Sequence, residues 1–133
     1  MNTADTSLLV AAFARWHGRH DAARVALGEA SLLLAHVAIE TFSVLTRLPP
    51  PRRAPPEIVL RFLDHHFPHP PYALDGTAYR RLLEQAVVNR LTGGAVYDAL
   101  VGAAAAAAGS TLLSLDARAA AAYDAVGASY RLI

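Results

Sequence analysis

Short apolar runs alternate with longer stretches of helical periodicity along the whole chain. Residues 2–5 form a brief strand-like opening that ends at Asp5. Thr6 to about Phe13 reads as a helix, and a second spans about Gly18 to Glu29. The run SLLLA, 31–35, has the length and apolarity of a buried strand. From His36 to Leu48, Val37, Thr41, Val44 and Leu48 fall on one helical stripe, with Phe42 and Leu45 beside it. PPPRRAPP, 49–56, stops that helix and reads as a rigid basic connector. Glu57 to Phe67 resumes as a helix, and Pro68, Pro70 and Pro71 end it. Residues 72–74 are a brief strand candidate, and Asp75 is placed to cap a helix over about 77–89. Gly93 and Gly94 introduce an alanine-rich helix, 95–108, that Gly109 closes. TLLSL, 111–115, is the best strand; a helix over Asp116 to about Ala125 and a last strand over 128–132 complete the chain. Strands alternating with helices predict an α/β fold in three layers, α/β/α, around a central, mainly parallel sheet.

Composition narrows the chemistry. The 133 residues suit a single domain over 1–133. There is no cysteine, which excludes disulfides, thiolate metal sites and cysteine catalysis. All 12 basic residues are arginine, so no mechanism can use a catalytic lysine. Arginine forks suit phosphate and carboxylate recognition, although an arginine-only chain also follows from genomic base composition. A net charge of +1 is not that of an electrostatic clamp on nucleic acid. The start of the chain lacks a charged and then apolar leader, and the alanine run 103–108 is too short to span a bilayer, so neither secretion nor a membrane is expected.

Four acids stand where an acid is not the bland choice. Asp5 and Asp116 close apolar, strand-like runs; Glu40 and Asp98 lie in apolar helical stretches. A buried acid is costly unless it is paired, hydrogen-bonded or bound to a cation. Each has an ordinary reading too: Asp5 and Asp116 as helix N-caps, Glu40 and Asp98 as exposed helix positions. Open α/β sheets place their sites at the carboxyl ends of strands, where strand order reverses. If the first strand neighbours 111–115, Asp5 and Asp116 end up about one interstrand spacing, ~4.8 Å, apart. Helix starts near Glu40 and Asp98 can face the same crevice. His65, His66 and His69 make a weaker metal candidate, because Pro68 breaks the helix such a set would need.

At these residues the chain resembles the compact PIN-domain ribonucleases, and in particular the toxin subunits of VapBC-type bacterial toxin–antitoxin pairs. The likeness rests on Asp5-Thr6-Ser7 after the first strand, Glu40 in the helix after the second, Asp98 in GGAVYDAL, and Ser114-Leu115-Asp116-Ala117-Arg118. Ser114 stands where threonine is common in the family. The resemblance implies a PIN-like fold and a metal-dependent endoribonuclease that hydrolyses RNA phosphodiester bonds. Asp5, Glu40, Asp98 and Asp116 would be its catalytic and metal-holding acids, with Mg²⁺ as the cofactor and Mn²⁺ as a substitute. It further implies a cytoplasmic growth-inhibiting toxin, a homodimer, RNA as substrate and a cognate antitoxin protein as partner.

Around that core, Ser7, Ser114 and Arg118 are expected to support the acids. Arg15, Arg19, Arg52 and Arg53 are candidate contacts for substrate or partner. Two other readings stay open: a catalytically inactive RNA- or protein-binding module of the same shape, and a metal-dependent DNA nuclease, since an acid site does not by itself read the sugar. An aspartyl phosphohydrolase or phosphorelay receiver fits poorly. Both lack their lysine here, and Ser7 occupies the phosphohydrolase's second acid position.

Overall fold

The computed structural model describes residues 1–133. Strand β1 (Asn2–Ala4) leads into helices α1 (Thr6–Phe13), α2 (His20–Leu27), α3 (Ala35–Thr46), α4 (Pro56–His66), α5 (Gly76–Val88) and α6 (Gly94–Ala107). Strand β2 (Thr111–Ser114), a 3-10 turn (Ala117–Ala119), helix α7 (Ala120–Ala125) and strand β3 (Tyr130–Leu132) follow. The three strands pair in parallel in the order β1-β2-β3. Beyond β1 the sheet is extended by single parallel bridges, Thr3 to Leu32 and Leu34 to Tyr72. The chain thus steps outward on one side of β1 and returns to lay β2 on the other. The reversal point lies between β1 and β2.

Local chemistry sets the element boundaries. The Asp5 carboxylate accepts from Leu8 N at 3.1 Å and caps α1. Asp75 does the same for α5, accepting from Ala78 N at 2.8 Å. Pro56 starts α4, where its missing N–H costs nothing. Gly93, with φ 58°, turns the chain sharply into α6. In β2, Leu112, Leu113 and Ser114 are all fully buried, as expected of a parallel strand covered on both faces. Leu8, Leu9, Val37 and Leu45 join them in the core.

Four expected elements take another form. Residues 31–35 do not make a strand. Ser31 N and Leu32 N both donate to Asn2 O, then Tyr72 exchanges bonds with Leu33 O and Ala35 N, and α3 begins at once. The segment pairs with one neighbour and then the other, leaving no room for a ladder, and 72–74 is correspondingly a lone bridge at Tyr72. The helix expected from Asp116 opens as a 3-10 turn, because the Asp116 carboxylate accepts from Arg118 N only two residues on. The last strand is shorter than 128–132, since Ala128 N still donates to Tyr123 O to finish α7.

Alanine and glycine let α6 and α7 approach closely. A β-carbon at Gly102 would lie 2.9 Å from Val126 Cγ2 and 3.1 Å from Tyr123 Cδ1. The branched valine or the buried ring must shift to admit it. We expect Gly102→Ala to destabilise the fold by about 1–3 kcal/mol, the usual cost of overpacking, as read from the urea midpoint; an unchanged midpoint would show that the contact relaxes freely.

Candidate active site

The reversal point between β1 and β2 carries a closed hydrogen-bond lattice centred on Asp5, which is only 4% exposed. One carboxylate oxygen, Oδ1, accepts from Ser7 Oγ at 2.5 Å and from Leu8 N. The other, Oδ2, accepts from Ser114 Oγ and, at 2.8 Å, from the Tyr123 hydroxyl. The serines are held in turn by the chain that leaves β2. Leu115 N donates to Ser7 Oγ at 3.0 Å, and Asp116 N donates to Ser114 Oγ at 2.9 Å. Each hydroxyl gives its single proton to Asp5 and receives one from the backbone. Ser7 and Ser114 therefore stitch the ends of the two strands together through Asp5. Asp5 and Asp116 are both N-caps and members of the acidic crevice at once.

Helix α6 runs back against the strands, so its first turns stand over their carboxyl ends and bring Asp98 there. The half-buried Asp98 carboxyl is held above its ordinary value of 3.8. Burial is the main cause, followed by the negative charges of Asp116, Glu40 and Asp5; Arg118 pulls weakly the other way. Asp116, Glu40 and Asp5 thus all lie near enough for their charges to act on Asp98. No hydrogen bond contributes to holding the Asp98 charge. By contrast, Asp116 Oδ1 accepts from Arg118 N at 3.0 Å and lies 3.4 Å from Arg118 Nε. Glu40 Oε2 lies 3.3 Å from His36 Nε2.

Carboxylate oxygens are the donors that a hard divalent cation takes. The crevice supplies such oxygens, and one of its charges, on the half-buried Asp98, accepts no hydrogen bond and is offset only weakly by Arg118. No three acids or histidines lie close enough together to hold a metal ion by themselves. Such an open arrangement suits an ion that keeps much of its water and takes few protein ligands.

Two clefts flank the acids. One, of about 420 Å³, is lined by Thr6, Ser7, Arg19, Asp116 and Arg118 among others. The second, of about 450 Å³, runs along α3 past Glu40 to Arg47, with Tyr97 of α6 opposite. Arg19 stands in the first cleft and also donates to Ile133 O at 2.7 Å. The other three candidate arginines lie elsewhere. Arg15 lines a groove between α1, α2 and α4; Arg52 sits 4.3 Å over the Trp16 ring; Arg53 Nε donates to Leu48 O at 2.9 Å. Helix α4 ends at His66, so His65 and His69 share no helix face.

Sequence reasoning missed Tyr123, His36 and Tyr97. A buried tyrosine in an alanine-rich stretch signals that its hydroxyl has a partner, but not that the partner is Asp5, 118 residues away. The i, i+4 spacing of His36 and Glu40 was readable on a helix.

The raised Asp98 value carries a sign. Between 3.8 and that value the folded protein binds more protons than the unfolded chain, so its stability falls as pH rises through the window. In metal-free protein at neutral pH, Asp98→Asn should therefore raise the melting temperature. The gain should vanish as pH drops below the ordinary carboxylate range. A variant that melts lower than wild type at neutral pH would contradict this electrostatic account.

The PIN-domain family model matches residues 3–125. Ribonuclease VapC40 of Mycobacterium tuberculosis is 47% identical over 129 residues, covering 97% of this chain and 96% of the relative. Ribonuclease VapC27 of the same species is 40% identical over 125 residues, covering 92% and 90%. The chain belongs to the PIN-domain family and is a homologue of its VapC ribonucleases.

Proposed function

We propose that this protein is a metal-dependent endoribonuclease and the growth-inhibiting toxin of a toxin–antitoxin pair, acting in the cytoplasm. The observation that carries the chemistry is the half-buried Asp98 carboxyl, which accepts no hydrogen bond and is crowded by the charges of Asp116, Glu40 and Asp5. The names of the VapC relatives favour RNA over DNA.

In this reading Asp5, Glu40, Asp98 and Asp116 hold Mg²⁺ or Mn²⁺. A bound cation supplies charge against the phosphate and acidifies a water. The chain's own groups do the rest. Asp98 and Asp116 present free carboxylate oxygens to the crevice. Asp5 has four donors on its two oxygens, so it fixes the crevice's shape and yields a lone pair to a cation only as a hydroxyl moves aside. A carboxylate not engaged as a ligand accepts the proton of the attacking water. Arg118, beside Asp116, steadies that carboxylate or meets a substrate phosphate.

Partners follow from two surfaces. The groove between α1, α2 and α4, about 510 Å³, is rimmed by Arg15, Arg24 and Arg61, with Phe13 and Phe62 packed edge to face at 5.3 Å in its wall. None of the three arginines has a carboxylate partner. An antitoxin segment carrying acidic and apolar side chains fits it. On α5, Tyr79, Leu83 and Val87 recur every four residues and stay exposed, Leu83 by 61% and Val87 by 80%. Such a stripe fits the seam of a homodimer. No helix is long and apolar enough to cross a membrane.

Mg²⁺ or Mn²⁺ should activate cleavage of structured RNA, and EDTA should abolish it. Asp98→Asn should fold normally and lose at least about a hundredfold in rate, as befits loss of a metal-holding or proton-accepting group. Full cleavage by that variant, free of contaminating nuclease, defeats the assignment. For assembly, light scattering should give a dimer for wild type and a monomer for Leu83→Arg; a wild-type monomer at tens of micromolar overturns the dimer reading.

A further inference from the structure

The cleft along α3 holds chemistry that metal binding does not use. Its acidic end is Glu40, one of the four crevice carboxylates. Two helical turns on, about 10 Å away, stands Arg47, which pairs with no carboxylate and donates to Ser43 Oγ at 2.9 Å. Across from them is Tyr97, the residue before Asp98. The His36 ring packs near-parallel against it, centroids 5.4 Å apart and planes 13° apart. Tyr97 is nevertheless 58% exposed, and Ile39 beside it 72%. A flat aromatic pair is thus fixed to the rim of the acidic crevice with much of its surface open to solvent.

We infer that Tyr97, backed by His36, is a stacking platform for the unpaired base next to the scissile phosphate of an RNA strand, with Arg47 meeting a neighbouring phosphate. This rests on the nuclease reading above and adds a specificity element to it. Three features favour a nucleotide over other occupants. Glu40 lines the cleft and its charge acts on Asp98, so a phosphodiester held at the acids has this cleft beside it for a neighbouring nucleoside. The open surface is a flat ring, which accepts any base in stacking. The cleft runs from acid to arginine, matching a strand whose first phosphate is neutralised by a cation and whose next is not. Tyr97 holds substrate and transition state alike, so its loss is read in binding and in KM rather than in kcat. A base within a duplex is already stacked and cannot reach the ring, so the platform selects loops and single strands.

The test uses full-length protein and a single-stranded oligoribonucleotide carrying 2-aminopurine at the position flanking the cut. It is titrated with Ca²⁺ in place of Mg²⁺, and cleavage is measured separately with Mg²⁺. Wild type and Tyr97→Phe should quench the fluorophore and bind alike. Tyr97→Ala, confirmed folded by circular dichroism, should lose the quench, bind roughly tenfold more weakly and raise KM by a similar factor with kcat nearly unchanged. Equal quench and affinity in Tyr97→Ala overturn the inference. So does a change of oligomeric state in that variant with RNA affinity intact, because the ring would then belong to a protein interface. Quenching by wild type without Mg²⁺-dependent cleavage would sink the nuclease reading and leave the platform standing; cleavage without quenching would do the reverse.

Discussion

Everything near the crevice depends on one buried carboxylate and the way its charge is satisfied. Asp5 is almost fully enclosed, and a buried ion without hydrogen bonds would not be tolerated. Its four donors come from three parts of the chain: the start of α1, the end of β2 and the inner face of α7. Satisfying Asp5 therefore fixes where β1, β2 and α7 lie relative to one another. The close contact at Gly102 belongs to the same constraint, because it lets α7 come near enough for the Tyr123 hydroxyl to reach the carboxylate. Fold and site are coupled through a single side chain.

The second acid shows the opposite balance. Asp98 is half-buried and surrounded by charges of its own sign, and hydrogen bonds do not relieve it. A protein built only for stability would place an amide or an apolar residue there. The two aspartates stand at opposite extremes: one charge is satisfied by the chain's own donors, while the other has no hydrogen bond from the chain.

Much of this was legible in the sequence, for reasons that can be named. The alternation of short apolar runs with helical stretches gave the layered α/β arrangement, because a parallel sheet demands crossovers and buried strands. Asp5, Glu40, Asp98 and Asp116 stood out because acids seldom close or interrupt apolar segments, and in the folded chain the charges of the other three act on Asp98. What could not be read depended on pairing. SLLLA looks like a strand, but it meets two different neighbours in five residues, and no local pattern carries that information. Tyr123 bonds to Asp5 across 118 positions, a relation that exists only after folding. Arg15, Arg52 and Arg53 are basic in any window, yet their positions in a groove, over an indole and against a carbonyl are tertiary facts.

The sheet stops short on both sides. At one border Tyr72 pairs alone, directly behind Pro70 and Pro71; at the other β3 is three residues long and carries Arg131 at its centre, held to Glu29. Neither border offers another chain a run of free backbone groups to template upon. Partners and copies are therefore left to meet this molecule through helix side chains. Recognition of that kind can be rewritten one residue at a time, so closely related chains sharing this framework can diverge in whom they bind without the risk of pairing through their backbones into fibres.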